Sequence, residues 1–264
     1  MKQASLLHVL KDHLGRTRLS LKGFHYFGSA WFLPWVAYAI SPVLSRVWRG
    51  SEPLTFSLFK ARVRECDLYT FANLFTDYDL TLLRQELASA SMVIDAGANV
   101  GAFAFACDFL LQKMGRQIPI LCIEPARENA HFLAQQPFAS RLQIQEAALG
   151  PEDGFADLVT GENSVTHTVQ FGNRAGQTRV LSLKTLCLPG TLLKMDVEGA
   201  EHAILKAGLP GTVQSMFLEW HPSREAVADH PQAAYPHGQW ESLGGDLYGS
   251  SMWFWKSAAA TATA

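Results

Sequence analysis

Residues 93–103 of this 264-residue chain read VIDAGANVGAF. An apolar run, Met92 to Ile94, ends in the acid Asp95. Gly97, Asn99 and Gly101 follow, and then a long apolar stretch from Ala102 to Leu111. A strand, a tight turn and a helix N-terminus in so few residues mark the place where open α/β sheets hold a nucleotide-like ligand. The rest of the chain supplies the rest of such a sheet. Residues 118–124 (IPILCIE) read as a second strand and 126–136 as its helix, with a third strand over 141–149. Residues 191–196 (TLLKMD) and 213–220 (VQSMFLEW) read as further strands, with a helix over 199–207 between them. Residues 155–183 hold short alternating runs (ADLVT, THTVQF, TRVLSL) divided by turn formers, which predicts hairpins. GQWESLGGDLYGSSMWFWK predicts a closing antiparallel pair. The class is α/β: a doubly wound, mostly parallel sheet covered on both faces.

Charge divides the chain unevenly. The net charge is −2, which gives no reason to expect a nucleic-acid partner. Residues 1–64 nevertheless hold ten Lys/Arg against two Asp/Glu, leaving twelve against twenty-two in the remainder. That first quarter favours an anionic surface or partner for itself alone. The cysteines, Cys66, Cys107, Cys122 and Cys187, lack the spacing of a zinc knuckle or redox pair, and a reducing, cytoplasmic setting is expected. Residues 1–22 read as a basic helix rather than a signal peptide, because Lys11, Asp12, His13 and Arg16 break the apolar stretches.

Residues 24–48, FHYFGSAWFLPWVAYAISPVLSRVW, are nearly long enough to cross a bilayer, but Pro34, Pro42, His25 and three serines interrupt them. The expectation is an N-terminal helical cap over 1–75 that buries its aromatics on a main domain over 76–256. Trp31, Trp35 and Trp48, beside Arg46 and Arg49, also suit peripheral membrane contact through 24–48. The SAAATATA stretch, 257–264, reads as a disordered tail.

The glycine loop selects among cofactors. A dinucleotide loop carries a second glycine where backbone approaches the pyrophosphate; here Asn99 stands at that position. A D-x-G-x-N-x-G loop suits a cofactor without phosphates, S-adenosylmethionine, whose ammonium and carboxylate the acid and amide can bind. Glu124 closes the second strand, 29 residues after Asp95, where a carboxylate can accept from two ribose hydroxyls. A nicotinamide-dependent oxidoreductase and a non-catalytic membrane-associated scaffold are the competing readings.

In LLKMDVEGAEHAIL, Asp196, Glu198 and Glu201 crowd a strand-to-helix junction. Their repulsion raises at least one pKa unless a cation or helix N-terminus offsets it. Asp196 borders the crevice, while Glu198 and Glu201 fall near the first helical turn. His221 ends the next strand at the same edge, and imidazole suits removal of a hydroxyl proton near neutral pH. The catalytic candidates are His221, Asp196 and Glu198. No His or Asp cluster of ligand spacing completes a site with them, so no metal is assigned.

VIDAGANVGAF, IEPARENAHFL, AALG, LLKMDVEGAEHAIL and FLEWHP, in this order and spacing, resemble the FkbM-type family of S-adenosylmethionine-dependent methyltransferases over roughly residues 67–222. The resemblance implies a class I, Rossmann-like sheet with a reversed terminal strand. It implies O-methylation of a hydroxyl on a sugar, glycan, lipid or secondary metabolite. It also implies cofactor contacts from Asp95, Gly97, Asn99 and Gly101, ribose binding by Glu124, and Asp196 at the border of the cofactor and the reaction centre. Where that family often carries an aspartate ahead of the K-x-D-x-E-G strand, this chain has Cys187.

Overall fold

The computed structural model describes residues 6–48, 50, 52–63, 65–159, 168–170, 176–221, 230–245 and 250–258. Seven strands form the main sheet: β1 (Met92–Ala96), β2 (Ile120–Glu124), β3 (Gln143–Glu146), β4 (Thr191–Met195), β5 (Val213–Trp220), β6 (Gln239–Gly245) and β7 (Ser251–Lys256). Their spatial order is β6-β7-β5-β4-β1-β2-β3. Neighbours from β5 to β3 are parallel, whereas β7 runs antiparallel to both β5 and β6. The reversed strand is the last in the chain, slotted between β5 and β6. Strand order reverses at β1 and β4, so the crevice opens beyond their C-terminal ends.

The central strands β1, β2 and β4 are buried along their whole length, because both faces are covered. Alternation divides their side chains. Met92, Ile94, Leu193 and Met195 face one core. Val93, Cys122 and Leu192 face the other, which they share with the N-terminal region. On this second side lie α1 (Leu6–Leu19), α2 (Gly23–Phe27), α3 (Phe32–Ala39), α4 (Ser41–Val47), α5 (Asp67–Asn73), α6 (Leu80–Ser89) and α7 (Ala102–Lys113). Two further helices are α8 (Arg127–Leu133) and α9 (Glu201–Ala207).

Helix α7 buries nine of its twelve residues, which explains why its sequence is apolar on nearly every side. The cap covers its outer face. Phe27 meets Phe109 at 4.6 Å and Phe105 at 5.2 Å between ring centroids. Phe59 stacks on Phe71 at 3.7 Å. Trp31 is 1% exposed, packs edge-on against Phe75, and donates its Nε1–H to the Ser20 carbonyl at 2.9 Å. Arg16 ties α1 to the end of α5, reaching Asp12 (3.0 Å), Asn73 (3.0 Å) and Asp77 (3.3 Å). The aromatics of 24–48 thus enter the same core as the sheet. No single helix among the described residues is long and apolar enough to cross a membrane. Lys11–Ala39 and Ser41–Val47 pass that test only jointly, with a bend of 65° between them.

Two expectations change in detail. The third strand divides: β3 stays in the main sheet, while Ala148–Gly150 joins a second sheet with Gly154–Val159, Thr168–Gln170 and Thr178–Ser182. The sequence after β1 reads as a helix over 99–113, but α7 starts at Ala102, because Gly97, Asn99 and Gly101 all have positive φ and cannot continue a right-handed helix. The hairpin of Gly154–Val159 with Thr168–Gln170 and the closing β6–β7 pair form as the alternation predicts. Residues 160–167 and 171–175 of the hairpin region, 246–249 of the closing segment and 259–264 of the tail lie outside the described residues.

Trp31→Ala removes the largest cap side chain in the shared core and leaves a cavity. It is expected to cost about 3–5 kcal/mol in urea unfolding. An unchanged midpoint and slope would show that the cap is not part of the cooperative unit.

Candidate active site

Two loops make the crevice, one after β1 and one after β4, and they touch. Gly97 has φ +71°, and a Cβ there would sit 1.7 Å from the Asp196 carbonyl oxygen. Only glycine permits that approach. Lys194 locks the contact. It pairs in register with Asp95 across β4 and β1, with Nζ 3.4 Å from Asp95 Oδ1 and 3.3 Å from Asp196 Oδ2. The same ammonium donates to the Gly97 carbonyl (2.7 Å) and the Ala96 carbonyl (3.2 Å). Burial alone would lower its pKa; Asp196 and Asp95 outweigh that and hold it above the ordinary lysine value. Asp95 is fully buried, and burial raises its carboxyl against the pull of Lys194. Its Oδ2 accepts the Ala104 N–H, anchoring the first turn of α7.

Glu124, at the end of β2, holds the far side. Its Oε2 accepts the Asn99 N–H at 2.7 Å and its Oε1 the Ala126 N–H at 2.9 Å. Burial pushes it up to about 7. Each oxygen keeps lone-pair capacity for a second donor. The buried Asn99 Oδ1 has no hydrogen-bond partner. An orphaned amide oxygen beside a two-oxygen acceptor fits a ligand that presents an ammonium and neighbouring hydroxyls, as S-adenosylmethionine does. Gly97, Asn99, Glu124, Asp196, Glu198 and His221 all line one cleft of about 1170 Å³. That volume exceeds what one drug-sized ligand needs and leaves room for a second. Asp95 and Gly101 lie behind the cleft wall. They shape the loop, and Gly101 does so where a Cβ would press within 2.3 Å of Leu133 Cδ1.

At the other end the chain leaves β4 through Glu198 (φ +54°) and Gly199 (φ +103°). Glu201 organises this turn. Its Oε1 accepts the Val197 N–H (3.0 Å) and its Oε2 the Gly199 N–H (2.8 Å). Oε1 also lies 3.0 Å from His221 Nδ1. The opposite ring nitrogen, Nε2, faces Glu198 at 3.5 Å, Glu219 at 3.6 Å and Asp196 at 3.9 Å. Burial opposes the charged imidazole, but the Glu201 hydrogen bond and the surrounding carboxylates lift His221 to about 10. This favours the imidazolium form at neutral pH. Burial raises Glu198 and Glu219, and His221 pulls both back down.

The structure brings the three catalytic candidates together, with ligand-type atoms of Asp196, Glu198 and His221 within 4.8 Å of one another. Sequence spacing concealed that triangle, and the expectation that no ligand cluster forms here is corrected: these atoms lie close enough together to hold a metal ion. The imidazolium supplies the positive charge these carboxylates require. Sequence reasoning missed four residues here: Lys194, Glu201 as the holder of His221, Glu219 and Tyr78. Glu219 was within reach, since two residues along a strand share a face. Tyr78 lines the cleft, and burial together with Asp196 and Glu219 pushes its phenol well above the ordinary value, so it stays a donor. His202 contacts the His221 carbonyl at 2.8 Å and packs on Trp220 at 3.8 Å, outside the acid cluster.

The model of the FkbM methyltransferase domain matches residues 95–242. No curated protein matches the chain. Among solved structures, the chain is similar to the methyltransferase FkbM from Methylobacillus flagellatus KT, at 14% identity and a TM-score of 0.42, covering 87% of this chain and 62% of that one. It thus spans less than two thirds of that protein's length. It is similar to the precorrin-6y C5,15-methyltransferase from Geobacter metallireducens GS-15 (13% identity, TM-score 0.38, covering 67% of this chain and 87% of that one). It is also similar to an O-methyltransferase from Bacillus cereus in complex with S-adenosylhomocysteine (12% identity, TM-score 0.38, covering 82% and 95%). The family match takes in more than half of the chain, from the acid of the glycine loop through the Lys194–Glu201 block to the His221 strand. The chain belongs to the FkbM methyltransferase family.

Proposed function

We propose that this protein O-methylates a hydroxyl of a sugar, glycan, lipid or secondary metabolite. The observation that carries the reading is His221, fixed by Glu201, facing three carboxylates in the cleft that Glu124 and Asn99 also line. S-adenosylmethionine supplies the methyl group on a sulfonium, whose positive charge suits a wall of carboxylates. The protein's own part is alignment of donor and acceptor, which removes several kcal/mol of barrier, and disposal of the hydroxyl proton. The sequence points to His221 as one candidate for that proton. With His221 already charged, the task falls to the carboxylates it faces, Asp196 and Glu198. Burial brings Glu198 up to about 7, where a carboxylate works well as a base near neutral pH. His221 then acts by holding that carboxylate and offsetting its charge. A nicotinamide oxidoreductase has no claim on this acid cluster, and a scaffold has no need of it. The four cysteines are free, which suits a reducing, cytoplasmic setting.

Glu124 gives a test at the cofactor end. Its pKa in the free protein is raised to about 7, and ribose hydroxyls donate to the ionised form. Binding must therefore expel a proton below that pH and none above it. S-adenosylhomocysteine affinity is expected to be full above pH 7 and to fall as pH drops, approaching about tenfold per unit. Calorimetry from pH 6 to 8.5 measures it. Glu124→Gln should bind more weakly at pH 8 and show a flat profile. A flat profile in the parent would remove Glu124 from the site.

The acceptor end is tested with labelled methyl donor and cell extract, and then with the isolated product's precursor. Glu198→Gln is expected to lower kcat by about 10²–10⁴ with S-adenosylhomocysteine affinity nearly unchanged. The parent's kcat should rise with pH through a midpoint of about 7, as Glu198 ionises. A rate that falls between pH 6 and 8 would contradict the carboxylate base.

A further inference from the structure

We infer that the N-terminal cap seats this protein on an anionic lipid surface and that the methyl acceptor is the hydroxyl of an amphiphile held in that surface; the acceptor half rests on the methyltransferase reading above. The key element is α4. Its Ser41, Pro42 and Ser45 line the methyl-transfer cleft. Its Val43 and Val47, each 61% exposed, point the other way, and Ile40 just before the helix joins them. At 3.6 residues per turn these two sets occupy opposite faces. One short helix is therefore both cleft wall and exposed apolar surface. At the start of α3, Phe32 and Leu33 are also exposed, while Trp31 and Tyr38 on either side of them are buried. Among the described residues, eight of the eleven exposed large hydrophobics fall between positions 14 and 47. Scattered exposed hydrophobics are ordinary; their concentration in the N-terminal helices, with three of them on or beside α4, is not.

Charge selects the occupant. Residues 6–48 carry five Lys/Arg and a single acid, Asp12, which is engaged by Arg16. Lys11, Arg18, Lys22 and Arg46 are exposed. Exposed apolar side chains among basic ones, with no exposed acid within residues 6–48 and Glu52 the first beyond them, match the boundary of an anionic bilayer. A second copy of the same face would bring like charges together. The cap lies on the lipid rather than crossing it, since Phe27, Trp31 and Tyr38 belong to the domain core. With α4 on the surface, the cleft mouth opens beside the headgroups. An acceptor can then enter by its polar end and leave its apolar part in the membrane.

The test floats the full-length protein with vesicles of phosphatidylcholine alone or mixed with phosphatidylglycerol. Binding is expected to the mixed vesicles only and to weaken with salt. The double variant Val43→Asp, Val47→Asp is expected to bind them at least about tenfold less, with its melting temperature and S-adenosylhomocysteine affinity unchanged. A parent that stays off the mixed vesicles, a variant that floats as well as the parent, or a face that instead dimerises in gel filtration overturns the docking. With labelled methyl donor and whole extract, the product should partition into the lipid phase; a water-soluble product overturns the amphiphilic acceptor. Failure of the parent to bind S-adenosylhomocysteine would sink the methyltransferase reading and the acceptor with it, while vesicle flotation still decides the docking.

Discussion

A single buried ammonium fixes the geometry of this site. Lysine inside an otherwise apolar central strand is costly unless its charge is matched and its donors are used. Lys194 meets both conditions, with Asp95 and Asp196 as partners and two backbone carbonyls as acceptors. Asp95 lies on β1 and Asp196 directly follows β4, the two strands between which the sheet reverses order. The contact that offsets the cost of burial therefore also closes one loop against the other, and Gly97 makes the closure sterically possible. The distance between the Glu124 end of the crevice and the His221 end follows from that closure.

A second layer of charge is built on the first. Beyond Asp196 the chain turns through Glu198 and Gly199 in left-handed backbone, a conformation that the surroundings must hold in place. Glu201 does so with two backbone hydrogen bonds and directs its remaining capacity to His221. The outcome is one imidazolium among four carboxylates, with Lys194 behind Asp196. A crevice so balanced suits a positively charged ligand and a carboxylate that takes up a proton beside the imidazolium. The N-terminal region completes it: Ser41, Pro42 and Ser45 of α4, Asn73 of α5, and Thr76 and Tyr78 just beyond line the same cleft.

The sequence made the frame legible because the frame is periodic. Strand, turn and helix around Asp95, the acid at Glu124 and the closing hairpin all follow from local patterns of apolar residues and glycine. What stayed hidden depends on pairing between distant segments. Lys194 reads as an interruption of an apolar run until the register sets it opposite Asp95. Glu201 reads as a helix-starting acid until His221, twenty positions later, arrives at its Oε1. His221 reads as a base because its ordinary pKa is near neutral; only the four surrounding carboxylates show it to be charged. Residues 24–48 carry two patterns at once, one buried in the domain core and one left facing outward, and hydropathy alone cannot separate them.

Equilibrium urea unfolding of Lys194→Met tests the central claim most directly. The substitution keeps the length and apolar stem of the side chain but leaves Asp95 buried without its cation. The variant is expected to lose about 3–5 kcal/mol in a single transition. A stability within about 0.5 kcal/mol of the parent, the range of an ordinary surface change, would show that the ammonium does not hold the two loops together.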